Sequence, residues 1–246
     1  MIYSAKTDIG PVRNENQDSI LVKNLDSDTI LAMVCDGMGG HSYGKQASQL
    51  AVDVISKRIS DNYRSSQDAN SIRNMLLTSV TAANTIVFEK SKSLDDSMIM
   101  GTTCTLAVIR ENIACIVNVG DSRAYHITDN IYQITKDHTY KTKLIEEGQI
   151  SENDDVPEDK KNMITRAVGA EKDISIDYFE IDLDKGDKIF LCSDGVCGYC
   201  SDNMIYNINK KNKIITERIG IINLQHFSIP PATPMIMITK ETTTAT

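Results

Sequence analysis

Two apolar runs far apart in the chain end in the same way. Ile30 to Cys35 leads into Asp36-Gly37, and Lys188 to Cys192 leads into Ser193-Asp194-Gly195. Both runs predict buried strands. A carboxylate at a strand end sits on the rim of a rigid sheet, and the glycine after it lets the backbone turn sharply and expose its carbonyl. Two such rims side by side offer several oxygen ligands and neither sulfur nor imidazole. That set suits a hard divalent cation such as Mg²⁺ or Mn²⁺.

A chain of 246 residues can bury a substantial core in one large domain or two small ones. Its 41% hydrophobic and 24% charged residues are those of a globular protein rather than a disordered or membrane one. No apolar run approaches the roughly 18 residues of a membrane span, and Met1 to Asp8 does not have the form of a secretory signal. The expectation is a cytoplasmic monomer that binds no membrane. A net charge of −8 disfavours nucleic acid as a partner, while one phosphate could still bind where metal ions supply positive charge. Six cysteines lie mostly in apolar runs. Cys197 to Cys200 has CxxC spacing, but no second CxxC or His pair accompanies it, so ordinary thiols in a reducing compartment are expected.

Strands are predicted at 2–6, 19–22, 30–35, 103–110, 113–119, 123–127, 131–134, 174–181 and 188–192. Turns fall at Glu111-Asn112 and Asp129-Asn130. Apolar residues at helical spacing predict two long helices, one carrying Ala47, Ala51, Ile55 and Ile59, the other Ile72, Leu76, Val80 and Val87. Shorter helices are expected from Tyr140 to Glu147 and from Asp202 to Lys210. Ser151 to Asn162 is polar and reads as a mobile surface loop. This order fits two packed antiparallel sheets with helices outside them, an α+β arrangement. No repeat or linker divides it, so 1–246 reads as one domain. In the tail, about 211–246, Pro230, Pro231 and Pro234 argue against a central strand.

Further segments fall into one ordered pattern: Arg13-Asn14-Glu15-Asn16-Gln17-Asp18, Asp36-Gly37-Met38-Gly39-Gly40-His41, Gly101-Thr102-Thr103 and Gly120-Asp121-Ser122-Arg123. Asp137-His138, Ile164 to Gly169 and Ser193-Asp194-Gly195 complete it. In this order they resemble the type 2C metal-dependent protein Ser/Thr phosphatases, the PPM family, in their compact bacterial form. The resemblance covers about residues 2–208. It implies a four-layer αββα sandwich and hydrolysis of phosphoserine and phosphothreonine with two, or with a weaker site three, Mg²⁺ or Mn²⁺ ions. Its implied partners are phosphorylated proteins and a cognate bacterial Ser/Thr kinase.

The resemblance also assigns roles. Asp36 would bridge two ions, the Gly37 carbonyl would complete one shell, and Asp194 would hold the second ion. Asp18 would orient water, and Asp121 with Asp194 would hold a third ion. Arg13 would bind phosphate through its planar fork. The leaving group needs a proton donor, for which His41 and metal-activated water are both candidates. The region from Tyr140 to Asn162 resembles the flap beside the site.

Each residue also has a plainer reading. Asp-Gly is commonly a turn, Arg13 a solvated arginine, Asp121 a turn cap with Ser122, and His138 a structural histidine. The ordered set, rather than any member, carries the resemblance. One block is missing. The family ends with a Gly-Gly-x-Asp-Asn-Ile-Thr segment whose Asp is another metal ligand, and Pro231 to Thr239 holds no acid in its place. The expectation is a weakened second metal site. It leaves open a catalytically impaired module that binds phosphoproteins, or a tail read out of frame.

Overall fold

Side-chain alternation along one strand sets the layers of the molecule. A computed structural model describes residues 1–9, 13–40, 42–94, 100–161, 163–208 and 234–240. Strand β3 (Thr29–Met38) follows β1 (Ile2–Lys6) and β2 (Asp18–Asn24). Successive side chains of a strand point to opposite faces. Leu31, Met33 and Cys35 pack with helix residues, and Ile30, Ala32 and Val34 pack against a second sheet. Burial on both faces is why the run is apolar throughout.

The first sheet continues with β4 (Gly101–Thr102), β5 (Cys104–Arg110), β6 (Ile113–Val119) and, later in the chain, β9 (Asp177–Asp182). Its order is β2-β3-β5-β6-β9, with β4 pairing the end of β3. The second sheet comprises β1, β7 (Arg123–Ile127), β8 (Ile131–Gln133), β10 (Lys188–Cys192) and β11 (Met235–Thr239). Its order is β1-β11-β10-β7-β8, and all strand pairs in both sheets are antiparallel. Ile189, Leu191, Ile236 and Ile238 fill the space between the sheets opposite Ala107, Ile109 and Ile116. Each Ile or Leu buried there contributes about 1.5–3 kcal/mol.

Helices α1 (Tyr43–Asn62) and α2 (Ala69–Lys92) cover the outer face of the first sheet through Ala47, Ile55, Ile59, Leu76 and Val87. The carboxylate of Asp68 caps α2 by accepting from the Ser71 N–H at 2.7 Å. Helices α3 (Tyr140–Glu146) and α4 (Glu158–Lys161) lie between β8 and β9. On the outer face of the second sheet, α5 (Asp194–Cys197) and a helical segment at 202–208 bring Val196 and Ile205 against Tyr125, Phe190 and Met237. The result is the αββα order of layers.

The two acid-bearing rims belong to opposed sheets, β3 to the first and β10 to the second. Two expectations need correction. Residues 151–162 are not wholly loop, because α4 lies within them, with the Lys160 N–H donating to the Pro157 carbonyl at 2.9 Å. The prolines do not keep the tail from a central position: β11 starts immediately after Pro234 and pairs with both β1 and β10. A proline just ahead of a strand removes no ladder donor from it.

Candidate active site

Antiparallel register sets Asp18 of β2 directly opposite Asp36 of β3. Both continue the rows whose side chains face the other sheet, Ile20 and Val22 on β2, Ala32 and Val34 on β3. Across the gap, β10 ends and Ser193 and Asp194 open α5. Asp18 and Asp194 both come within hydrogen-bond reach of Asp36.

The main chain of Asp36 is held from the β4–β5 junction. Its N–H donates to Thr103 Oγ1 at 2.9 Å, and its carbonyl accepts from the Thr103 N–H at 2.8 Å and from Thr102 Oγ1 at 2.9 Å. Thr103 Oγ1 is in turn 2.8 Å from Ser122 Oγ. Gly37 is required by close packing, since a Cβ there would lie 2.0 Å from the Gly44 carbonyl oxygen and 2.5 Å from that of Gln17. This contact sets the start of α1 against the end of β3.

The electrostatics are those of gathered anions. Burial, with the charge of Asp194 adding to it, pushes the Asp18 carboxyl up to about 6, against a hydrogen bond with Asp36 and the nearby Arg13 cation. Burial and the Asp18 and Asp194 carboxylates drive Asp36 well above the ordinary carboxylate range. Asp121 is raised to about 7, by burial first and then by Asp194 and Asp137. Asp18 Oδ1, Asp121 Oδ1 and Ser193 Oγ are buried with no hydrogen-bond partner among the described residues.

These residues fit hard divalent cations. The donors are oxygens throughout, they repel one another, and two carboxylate oxygens have no other partner. Among the described residues no three His, Cys, Asp or Glu side chains close round a common point, so the carboxylates line a mouth rather than a finished cage.

That mouth is a cleft of about 760 Å³ with Asp36, Gly37 and Asp194 in its wall, Arg13 exposed on it, and Met38 and Ile164 as its apolar side. Asp121 does not line the cleft but lies behind it, near enough for the charge of Asp194 to act on it. His41 lies outside the described residues. His138 accepts the Gly120 N–H on Nδ1 at 3.0 Å and reaches Asp177 through Nε2 at 3.0 Å, which supports the turn bearing Asp121. Arg123 and Asp137 form a forked ion pair on the other side of that turn. The excursion carrying α3 and α4 is closed at its base by the Thr139–Ile164 bridge, which brings it to the cleft wall.

Sequence reading did not single out Thr102, Thr103, Met38 or Ile164 for a role, and gave Ser122 only that of a turn partner to Asp121, although each lies within a segment of the ordered pattern. The available signal was the Gly101-Thr102-Thr103 block, whose two hydroxyls precede a strand that must pair with β3.

An oxygen-lined mouth with an arginine at its edge, between two opposed sheets, has the donor chemistry that metal-assisted hydrolysis of phosphate esters requires. The family model described as protein phosphatase 2C matches residues 13–226, and the chain belongs to that family of metal-dependent protein serine/threonine phosphatases. It is 32% identical over 218 residues to a serine/threonine phosphatase, stp, of Listeria monocytogenes, covering 88% of this chain and 86% of that one. Among solved structures it is similar to the serine/threonine phosphatase Stp1 of Staphylococcus aureus, with TM-score 0.82 and 29% identity over 98% of this chain and 96% of the other. It is also similar to the catalytic domain of the phosphatase PstP, solved with two manganese ions, with TM-score 0.71, 27% identity and 96% of each chain covered.

Proposed function

We propose that this chain hydrolyses phosphoserine and phosphothreonine on proteins with two Mg²⁺ or Mn²⁺ ions held by Asp36, the Gly37 carbonyl and Asp194, and a weaker third held by Asp121 with Asp194. When bound, such ions lower the pKa of a water and neutralise the phosphoryl oxygens. Arg13 takes two phosphate oxygens in its fork and fixes the phosphoryl group in the cleft. Asp18 accepts a hydrogen bond from the attacking water and aims it at phosphorus. Protonation of the departing serine or threonine oxygen falls to His41 or to water. A second hollow of about 450 Å³, sharing Met38 and Ile164 with the cleft, has room for residues flanking the phosphorylated one.

The observation that carries the reading is the meeting of Asp18 and Asp194 on Asp36 in a cleft that also holds Arg13. The proposed substrates are those of a cognate bacterial Ser/Thr kinase. A reducing cytoplasm is proposed because all six cysteines are free; no helix among the described residues is long and apolar enough to cross a membrane. Pro234, at the site end of β11 with its carbonyl accepting the Ser193 N–H at 3.3 Å, favours a second reading. With no acid at residue 234, the chain would bind phosphoproteins without turning them over.

The test is hydrolysis of a phosphothreonine peptide with Mn²⁺, with EDTA, and in Asp36→Asn. The expected result is Mn²⁺-dependent turnover that the substitution abolishes. Absence of turnover in a folded chain that still binds the peptide would replace the first reading by the second.

A further inference from the structure

Two thiols flank the segment that carries Asp194. Cys192 ends β10 and is fully buried, while Cys197 ends α5 and is half-buried. The Cys197 thiol donates to the Ser193 carbonyl at 3.5 Å, and its side chain packs against the buried cluster that contains Cys192. The Arg123 guanidinium, anchored by Asp137, lies close enough to act on both sulfurs.

We propose that Cys197 and Cys192 form a peroxide-sensitive dithiol that closes to a disulfide around Asp194. The half-exposed Cys197 meets the oxidant and the buried Cys192 resolves it, an arrangement that partial exposure beside a cation favours. The Cys197 sulfur attacks one oxygen of hydrogen peroxide and breaks the O–O bond, giving a sulfenic acid and one water. The Cys192 sulfur then attacks that sulfur, and the hydroxyl leaves with the Cys192 proton as a second water. Two thiols lose two electrons, and one peroxide is reduced to two waters.

Cys192 cannot move to meet its partner, because its backbone is paired with Arg123 on one side and Met235 on the other. Closure therefore moves α5, whose first residue is Asp194. The bond itself is independent of the enzymatic reading, whereas its effect on turnover rests on that reading.

The test treats the folded full-length chain with hydrogen peroxide, alkylates free thiols, and cleaves before Asp194 with an Asp-specific endoproteinase. Cys192 and Cys197 then fall on different peptides, while Cys197 and Cys200 stay together. The expected result is a Cys192–Cys197 cross-linked pair. Phosphothreonine turnover and Mn²⁺ affinity by calorimetry each fall roughly tenfold or more and recover with dithiothreitol. Cys197→Ser keeps its turnover and resists peroxide, and Cys200→Ser stays as sensitive as the parent. A Cys197–Cys200 bond, no bond, or a Cys192–Cys197 bond that leaves turnover and Mn²⁺ affinity unchanged would overturn the proposal. An untreated chain without turnover counts against the phosphatase reading alone, because mapping and Mn²⁺ affinity still read the switch.

Discussion

Asp18 and Asp36 stand directly opposite each other on adjacent antiparallel strands, and both face the second sheet. Two buried carboxyls so placed cannot both ionise without a cost from burial and mutual repulsion, which raises the pKa of each. The arrangement makes sense as a site completed by cations. With EDTA, Asp18→Asn should therefore raise the melting temperature by a few degrees, while Mn²⁺-dependent phosphopeptide turnover falls at least tenfold. Paired melts and rates check this; a lower melting temperature in EDTA would mean that the two carboxylates stabilise the sheet.

Asp121 gives a pH dependence. Its carboxyl is raised from 3.8 to about 7 in the folded chain, so below pH 7 the folded state holds a proton that the unfolded state has lost. The unfolded state binds fewer protons across that window, and metal-free stability falls as pH rises from about 4 through 7. Asp121→Asn should flatten that slope, which melting in EDTA at pH 5 and pH 8 would measure. Saturating Mn²⁺ should reverse the loss at pH 8.

Thr103 positions Asp36 without facing the cleft. Thr103→Val removes the acceptor of the Asp36 N–H and the partner of Ser122, leaving buried polar groups unpaired at a cost of about 1–3 kcal/mol. The Mn²⁺ concentration needed for half-maximal turnover should rise roughly tenfold or more, while the KM for peptide at saturating Mn²⁺ changes little. Thr103→Ser, which keeps the hydroxyl, should restore most of the affinity.

Arg13 tests phosphate recognition. Arg13→Lys keeps the charge but loses the fork, so the KM for phosphopeptide should rise roughly tenfold. Its melting temperature should match the parent, because Arg13 is exposed.

Gly120 has φ +106°, and a Cβ there would lie 2.6 Å from Thr103 Cγ2. Gly120→Ala should destabilise the chain by more than about 1 kcal/mol, visible as a lower urea midpoint with unchanged slope.

Much of the fold was legible because most elements carry their burial in their own composition. β3 and β10 are buried on both faces, so their runs are apolar and end where the carboxylates begin. The helical spacings of Ala47 to Ile59 and Ile72 to Val87 marked the faces that α1 and α2 bury. β11 was not legible, because local proline content outweighed five residues, Met235 to Thr239, whose central place comes from pairing with β1 and β10. Those partners lie 233 and 47 positions away in the register pairs Ser4↔Met237 and Phe190↔Met237.

The sequence by itself determined which residues could be ligands: aspartates at the ends of apolar strands, Asp36 and Asp194 with a glycine after them. Only the tertiary structure decided that Asp18 opposes Asp36, that Asp194 reaches them from another sheet, and that Thr102 and Thr103 grip Asp36 from 66 and 67 residues away. Propensity and burial are local properties of a segment. Register and the facing of two sheets are long-range choices, made by the core between them as Ile30, Val34, Leu191 and Ile236 pack together.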